Sequence, residues 1–423
     1  MAKASTVLWS RNFSLLVIGQ IMSLFGNMVI SIALPFHILN ISGSASLYGL
    51  VMGLPVVSLI VMTPLGGVMA DRFKKHRLMF WLDAFVTAII VAYMLFSGLF
   101  TDVVVVVIVK LLAFNAIQAV YMATTASSIS SLVPQDKLAS GNAVITVVNM
   151  LSLTGGMAIA GILYDRFGLF PILVGCAICF GITAIVDLFI RIPYEKQETT
   201  GNVFQIIWND LACSLRFVLR EKTVISRLIY FVFVMEFVFG SMLMIGLPVL
   251  ITVHLDMSLT HAGVSLAIMM FGGITGGILA GSMGTRLNIN RGLAFIIVGI
   301  TCSLPMGLVF LLQIPDFLAY VIVTASGTIF MLTSKVMGIS MMTYVQVETP
   351  NTLIGKVLSV IMVAPFIGQS LGYPLIGWFF EVFADMPWIV VFGSIFAMLI
   401  AAIIASAYFK KAIADSGIKG AFH

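Results

Sequence analysis

Twelve apolar segments, each about 20 residues long, follow one another along the chain with only short polar stretches between them. A helix needs about 20 residues to cross the hydrocarbon core of a bilayer, so each segment is long enough to span a membrane once. We therefore expect an all-α membrane protein with twelve transmembrane helices. The predicted spans are 13–37, 47–69, 78–99, 103–124, 141–164, 170–190, 228–251, 261–284, 292–313, 317–342, 355–380 and 387–408.

The composition supports the same fold class. Hydrophobic residues make up 61% of the chain and charged residues 9%, and the mean hydropathy is +1.14. A soluble domain carries about a quarter charged residues, so this class of protein is excluded. The first apolar segment has no small-residue cleavage site, and we expect it to remain in the protein as span 1.

The basic residues predict the orientation of the chain. If the N-terminus is cytoplasmic, all of the 22 Lys and Arg residues except Arg166, Lys110 and Lys335 lie at the cytoplasmic face. Cytoplasmic loops of membrane proteins are enriched in Lys and Arg, so we expect both termini in the cytoplasm and a multi-pass protein of the plasma membrane. The net charge of +5 then reflects topology, and we expect no nucleic-acid partner.

The most strongly charged run lies between spans 2 and 3 and predicts a tight hairpin. Small residues at Gly66, Gly67 and Ala70 allow this helix end to approach a neighbour closely. Asp71 can accept hydrogen bonds from the backbone N–H groups at another helix N-terminus, a contact that can form in one conformation and break in another. The candidate gating residues are Gly67, Asp71, Arg72 and Arg77.

The run Gly67-Val68-Met69-Ala70-Asp71-Arg72-Phe73-Lys74-Lys75 resembles the loop motif of the major facilitator superfamily of transporters, with Lys74 in place of a glycine. The wider sequence resembles the subgroup that holds macrolide and siderophore exporters, through Gln20-x-x-Ser23-x-Phe25-Gly26, Ala33-Leu34-Pro35 and Ser42-Gly43-Ser44-Ala45. This resemblance implies two six-helix bundles related by pseudo-twofold symmetry, with a small-molecule substrate bound near the bilayer midplane between them. It also implies that spans 1, 4, 7 and 10 line the cavity.

An ordered series of residues recurs in the second half of the chain. Phe25-Gly26 recurs as Phe239-Gly240, and Gly67-x-Met69-x-x-Arg72 recurs as Gly281-x-Met283-x-x-Arg286. Thr285 stands where Asp71 stood, so the gating chemistry should be asymmetric. We predict an N-terminal bundle at 1–192, a cytoplasmic linker with an amphipathic helix at 193–226, and a C-terminal bundle at 227–423.

Polar side chains follow one face of spans 1 and 4. Such a stripe suits a wet cavity, although hydrogen bonds to neighbouring helices are the alternative. The predicted cavity residues are Gln20, Ser23, Asn27, Lys110, Phe114, Gln118 and Tyr121 in the first half and Phe233, Phe239, Met331 and Lys335 in the second.

Glu236 lies about eight residues into span 7, near the middle of the membrane. Its apolar neighbours disfavour a carboxylate, which suits a site that binds and releases protons, and a structural bond to another span is the alternative. Lys110 and Lys335 either reach a membrane face or pair with Glu236 or an anionic substrate. Asp83 and Asp187 lie closer to the cytoplasmic ends of spans 3 and 6, where we expect solvation or pairing with loop cations, with proton carriage as the alternative.

Small residues mark the spans that we expect to pack closely, namely Gly156, Gly161, Gly276, Gly372 and Gly377. Gly156-Met157-Ala158-Ile159-Ala160-Gly161 is similar to the family's antiporter motif, with Met157 in place of a proline. Cys176-x-x-Cys179 has metal-ligand spacing, but it lies in an apolar helix without a second ligand pair, so we expect packing and no metal site.

Together these patterns favour a proton-coupled exporter of lipophilic or amphipathic compounds, such as drugs or siderophore-like molecules, that works by alternating access. The 26 Met and 32 Phe residues can repack around varied apolar ligands. Enzyme motifs and a phosphate-binding loop are missing from the sequence, so we expect no ATP hydrolysis by this chain. We expect a transporter that uses the proton gradient and has no cofactor. A fold of this kind needs no partner subunit, so we expect a monomer. An uptake symporter for a sugar or small metabolite, and a non-transporting sensor or scaffold, are the alternatives.

Overall fold

A computed structural model describes residues 9–96, 102–192, 223–349 and 354–415, and at a few positions in these ranges it describes the backbone alone. The described residues are helical and contain no strand. Twelve helices are long and apolar enough to cross a membrane, which confirms the predicted fold class. The predicted linker helix lies outside the described residues, apart from 223–226.

Unit 1 is the first of two compact units and contains the chain up to Ser42 and from Leu54 through the sixth helix. Within it α3 packs along α6, and α1 packs along both α5 and α6. Its helices are α1 (Arg11–Ser42), the later part of α2 (Ala45–Arg72), α3 (Lys75–Phe96), α4 (Val103–Leu132), α5 (Leu138–Phe167) and α6 (Leu169–Phe189).

Unit 2 contains Gly43–Gly53, which is the start of α2, and the described chain from the seventh helix onward. In this unit α10 packs along α8 and α9. Its remaining helices are α7 (Thr223 to His254), α8 (Leu259–Met283), α9 (Ile289–Thr301 and Leu304–Leu311), α10 (Asp316–Glu348), α11 (Ile354–Val382) and α12 (Pro387–Asp415).

The start of α2 packs on α11 inside unit 2. Gly49 lies against the carbonyl group of Tyr373, so the two backbones are in contact there. The carboxylate of Glu381, near the end of α11, accepts hydrogen bonds from Ser44 Oγ at 3.0 Å and from the Ser46 backbone N–H at 3.1 Å. This carboxylate therefore satisfies one backbone donor in the first turn of α2, the Ser46 N–H, and one side-chain hydroxyl group just before the helix.

Helix α7 departs from regular α-helical geometry. It begins as an α-helix at Thr223–Val234 and then contains three π-helical segments, Met235–Gly240, Met242–Gly246 and Leu250–His254. In these wide turns a backbone N–H donates to the carbonyl five residues earlier, as Leu255 does to Leu250 at 3.0 Å. Because wide turns are rare and occur often at functional sites, α7 is a candidate functional helix.

Close contacts between helices occur at several glycines that the sequence singles out. Gly276 on α8 faces the backbone of Leu332 on α10, and a Cβ atom at Gly156 on α5 would lie 2.6 Å from Met28 Cβ on α1. A side chain at either glycine would require the neighbouring helix to move. Gly372 lies against Phe237, Gly377 lies against Ala45, and Gly161 is buried.

Candidate functional site

Glu236 lies in the first wide turn of α7, and its partly buried carboxyl group faces α11. The side-chain amide of Gln369 on α11 donates a hydrogen bond to Glu236 Oε2 at 3.0 Å. The hydroxyl group of Ser241 donates to the backbone carbonyl of Glu236 at 2.8 Å. The acid is therefore positioned by its own helix and by one neutral donor from a neighbouring helix.

Two glycines make room for this arrangement. The Glu236 carboxyl group lies beside Gly240, one turn later on the same helix, and occupies the space that a Cβ atom at Gly240 would need. On α11, a Cβ atom at Gly368 would lie 3.2 Å from Glu236 Cβ and 2.7 Å from the carbonyl oxygen of Phe233. Glycine at both positions allows α7 and α11 to approach closely around the carboxyl group.

Lys335 on α10 is exposed, and its charge acts on Glu236 through space. Among the described side chains Gln369, and not Lys335, donates the hydrogen bond to this carboxyl group. The predicted pairing of Lys335 with Glu236 thus takes the form of a longer-range electrostatic interaction.

The aromatic side chains near Glu236 belong to two clusters. Phe233 stacks on Phe237, with ring centroids 5.7 Å apart and planes 10° apart. Phe239 is fully buried against Phe330 on α10, with centroids 4.0 Å apart, and the adjacent Met331 is partly buried. An apolar cavity of about 320 Å³ lies behind Phe237, between α7, α11 and α12.

The polar stripe of span 1 is bonded to neighbouring helices inside unit 1. Gln20 Nε2 donates to Thr125 Oγ1 at 3.0 Å, and Ser23 Oγ donates to Asp83 Oδ1 at 3.2 Å. Gln20 and Ser23 are both buried. They therefore fit the alternative that we gave for the polar stripe, hydrogen bonds to neighbouring helices. The other predicted cavity residues of this unit are also buried or partly buried, namely Asn27, Phe114, Gln118 and Tyr121.

Lys110 on α4 is buried, with 4% of its surface exposed, so the prediction that it reaches a membrane face is wrong. Its Nζ atom lies 3.5 Å from the centroid of the Tyr93 ring and has no hydrogen-bond partner among the described residues. The aromatic face offers a cation–π contact that offsets part of the cost of burial.

Asp83 and Asp187 are 1% and 0% exposed, so the expectation that they are solvated is wrong. The packing of α3 on α6 places them beside each other in the interior of unit 1. Their electrostatic neighbours are each other and Tyr121, and no basic residue is among these neighbours, contrary to the predicted pairing with loop cations.

The charged run between α2 and α3 is described only in part, because the side chain of Asp71 lies outside the described residues. Arg72 and Arg77 are exposed. Lys75, which sequence reasoning did not single out, donates from Nζ to the carbonyl of Ser127 at 2.6 Å. Together with a hydrogen bond to Ser131 Oγ at 3.0 Å, this contact joins the start of α3 to the C-terminal part of α4.

The two glycines of this run differ in their surroundings. A Cβ atom at Gly66 would lie 2.9 Å from the carbonyl oxygen of Ala119 on α4, whereas nothing described lies within 4 Å of one at Gly67. Gly66 and the buried Ala70 therefore make the close approach that we expected of all three small residues.

The cysteine pair Cys176-x-x-Cys179 lies in α6, and both thiols are free. Cys176 Sγ donates to the carbonyl of Gly26 on α1 at 3.5 Å, so Cys176 is a residue of α6 that packs against α1. Cys213 lies outside the described residues.

The sequence matches the Major Facilitator Superfamily over residues 16–373, which is most of the chain. The chain belongs to this superfamily. It is therefore a membrane-embedded transporter and not an enzyme. No match was found among curated proteins.

Solved transporters of the superfamily share the fold. The nucleoside transporter NupG is 14% identical with a TM-score of 0.74, and the match covers 94% of this chain and 99% of that one. A bacterial homologue of the human lysosomal transporter Spinster, in an inward-facing and unoccupied conformation, is 14% identical with a TM-score of 0.69, covering 96% and 97%. A D-xylose–proton symporter is 14% identical with a TM-score of 0.66, covering 93% and 96%. Identities at this level show the fold alone.

Sequence reasoning found Glu236 in this superfamily member but missed its partner. Gln369 was available as a signal, because it is an amide in an otherwise apolar span and is flanked by Gly368 and Gly372. The wide turns of α7 have no comparable signal, because the apolar segment looks the same at either helical pitch.

Proposed function

We propose that this transporter is a proton-coupled exporter of lipophilic or amphipathic compounds, such as drugs or siderophore-like molecules, that works by alternating access. The observation that supports it best is the position of Glu236 in a wide turn of α7, where the neutral amide of Gln369 donates a hydrogen bond to its carboxyl group. Ionisable groups within membrane spans are costly and mark proton relays and substrate paths in transporters.

Gln369 suits a carboxyl group that changes its protonation state. Its N–H group can donate to Glu236 Oε2 when the acid is charged, and can keep that bond when a proton occupies the other oxygen. The hydrogen bond therefore holds the side chain in place through both states, so that proton binding changes its charge without releasing it.

In the proposed cycle Glu236 carries either a proton or the polar end of a substrate. Substrate binds from the inside while the group is a carboxylate, and protonation from the outside removes that charge and releases the substrate. The proton then leaves to the inside and the site is free for the next substrate. The charged loop with Asp71 and Arg72, which we predict to be cytoplasmic, makes its contacts when the cytoplasmic side is closed and breaks them as the inward-facing state is restored.

Aromatic and thioether side chains favour an apolar substrate. Phe233, Phe237 and Met331 lie in the same part of unit 2 as Glu236, and thioether and aromatic groups adapt to ligands of varied shape. An amphipathic compound can place its polar end at the carboxyl group and its apolar body on these side chains.

A proton-coupled uptake symporter for a polar solute is the second candidate, since one transporter with a similar fold is a D-xylose–proton symporter. A site for a sugar needs several hydroxyl and amide groups arranged for one solute, because each buried polar group of the ligand must be paired. Around Glu236 the described groups of this kind include Gln369, Ser241 and the buried hydroxyl group of Tyr373, a small set for a sugar with several hydroxyl groups, which favours the exporter.

Reconstitution into liposomes with an imposed pH gradient tests the proposal. We expect lipophilic fluorescent substrates to move against the direction of proton flow, and Glu236→Gln to abolish this coupled flux while membrane insertion stays normal. Glu348→Gln makes the same chemical change near the end of α10 and should keep the flux.

Three outcomes would overturn the proposal. Coupled flux that is unchanged in Glu236→Gln would remove this residue from the mechanism. Substrate that enters together with protons would establish the symporter instead. A protein that shows no substrate-dependent proton movement with any compound of a broad library would be a sensor or scaffold.

A further inference from the structure

Two acidic side chains face each other in the interior of unit 1, remote in sequence from Glu236. Asp83 on α3 and Asp187 on α6 are buried to 1% and 0% exposure and interact directly. Helix α1 covers them with Gly19, where a Cβ atom would lie 3.6 Å from Asp187 Oδ1 and where no side chain is present to donate.

The pair lacks hydrogen-bond donors. Ser23 donates to Asp83 Oδ1 at 3.2 Å, but Asp83 Oδ2 and both oxygens of Asp187 have no donor among the described residues. The hydroxyl group of Tyr121, 2% exposed and on α4, lies in the same cluster and is likewise without a partner. The cluster thus contains three acceptor oxygens without a donor and one hydroxyl group that can donate to one of them, so the other two oxygens need a further donor.

Among the residues that the structure describes, no cation neutralises the pair. From α1 the facing side chains are the neutral Gln20 and Ser23, and from α4 the facing titratable group is Tyr121. Lys110, also on α4, is eleven residues from Tyr121, about 16 Å along the helix, and lies on the Tyr93 ring.

The described basic residues nearest to the acids in sequence, on the predicted cytoplasmic side, do not reach them either. His76 on α3 is seven residues before Asp83, about 10 Å along the helix, and Arg191 follows α6 and is exposed. An apolar cluster that includes Met79 and Ile190 lies next to the pair on this side. Two carboxylates in such surroundings repel each other and are poorly solvated, so at least one of them must be neutral.

We propose that Asp83 and Asp187 form a second proton-binding site, in which one acid is protonated and donates to the carboxylate of the other, with Tyr121 as an additional donor. The proton supplies the donor that the cluster lacks. The hydroxyl group of Tyr121 then donates to a remaining oxygen, and Ser23 keeps its bond to Asp83. The pair then carries one negative charge in place of two, and three groups donate hydrogen bonds to its oxygens: the protonated acid, Tyr121 and Ser23.

A proton fits this space better than a metal ion. A hard cation takes six or more oxygen ligands, often with several waters, whereas the cluster is closed by Gly19 and by apolar side chains. No group of three or more His, Cys, Asp or Glu side chains that could hold a metal occurs in the part of the chain that the structure describes.

Infrared spectroscopy of the full-length protein in lipid nanodiscs tests the site. The difference spectrum between neutral and strongly alkaline buffer should contain the carbonyl band of a buried protonated carboxyl group, shifted in heavy water. Because a protonated Glu236 contributes a band of its own, the comparison is made in Glu236→Gln, which should retain the band of the aspartate pair. Adding Asp83→Asn/Asp187→Asn to this variant should remove that band. A difference spectrum that is the same with and without the two aspartate substitutions would overturn the proposal.

Thermal stability against pH gives a second readout. The folded protein holds a proton that unfolded aspartates release, so the melting temperature should fall toward alkaline pH, and it should fall much less in the double variant Asp83→Asn/Asp187→Asn. If the double variant does not fold, Asp187→Asn serves, because it keeps the Ser23–Asp83 bond. Parallel stability curves would contradict the proton site, and so would stabilisation at alkaline pH by sodium ions in place of protons.

Discussion

At the scale of single residues, the ionisable side chains inside the two units have different kinds of partner. In unit 2 Glu236 receives one amide hydrogen bond from Gln369. In unit 1 the Nζ atom of Lys110 lies over the face of the Tyr93 ring, 3.5 Å from its centroid, and has no hydrogen-bond partner among the described residues. A buried group with few partners costs stability, so each of these charges makes a testable difference to the folded protein or to transport.

Lys110→Met should leave the melting temperature unchanged or raise it. The substitution gives up a cation–π contact of about 2 kcal/mol or less, and it removes the larger cost of a buried ammonium group. Thermal unfolding in detergent measures the first effect and substrate flux measures any role in transport. A large fall in melting temperature would mean that Lys110 has a stabilising partner beyond Tyr93.

Gln369→Leu should reduce proton-coupled flux strongly, because Glu236 Oε2 loses its donor and the carboxyl group is no longer held in one position. The lost hydrogen bond to a partly buried acid should also destabilise the protein by about 1–3 kcal/mol. Gln346→Leu, an equivalent change on the exposed face of α10, is the control. Equal flux in the two variants would contradict the positioning role of Gln369.

At the scale of the helices, close contacts depend on which face of a helix carries the small residues. Gly276 faces the backbone of Leu332, whereas nothing described lies within 4 Å of a Cβ atom at Gly277 on the same helix. The two neighbouring glycines on α8 therefore have different structural roles. Gly276 permits the contact with α10, whereas Gly277 faces open space.

Gly276→Ala should destabilise the protein by about 1–3 kcal/mol, because the added methyl group forces α8 and α10 apart. Gly277→Ala should be neutral or stabilise it by up to about 1 kcal/mol, because alanine favours the helix and meets no neighbour. Thermal unfolding of both variants decides the point. Similar losses in the two variants would mean that helix propensity, and not the contact, governs this face.

The sequence predicts the number and approximate bounds of the helices, because the thickness of the bilayer fixes the length of each apolar segment. It also finds Glu236 as a charged residue in an apolar span. It does not predict the neighbours of Asp83 and Asp187, because contacts between distant helices depend on tertiary packing. Their position near the ends of the spans suggested exposure, whereas the apolar cluster with Met79 and Ile190 keeps them buried.

At the scale of the whole molecule, the distribution of basic residues predicts that the loop after α2 is cytoplasmic and the turn after α5 is outside. In a variant without native cysteines, Phe73→Cys should react with a membrane-impermeant maleimide only from the cytoplasmic side, and Arg166→Cys only from the outside. Both side chains are exposed, so accessibility within the protein does not limit labelling. Reversed labelling would invert the predicted topology.

The wide turns of α7 give this helix a freedom that a regular helix lacks. Each wide turn accommodates one surplus residue, and a surplus residue can be passed along the backbone by exchanging hydrogen bonds one at a time. When it passes a given position, the side chain there is carried about 100° around the helix axis, since a regular turn contains about 3.6 residues. The side chain of Glu236 can thus rotate about the helix axis into different surroundings while both ends of α7 keep their positions.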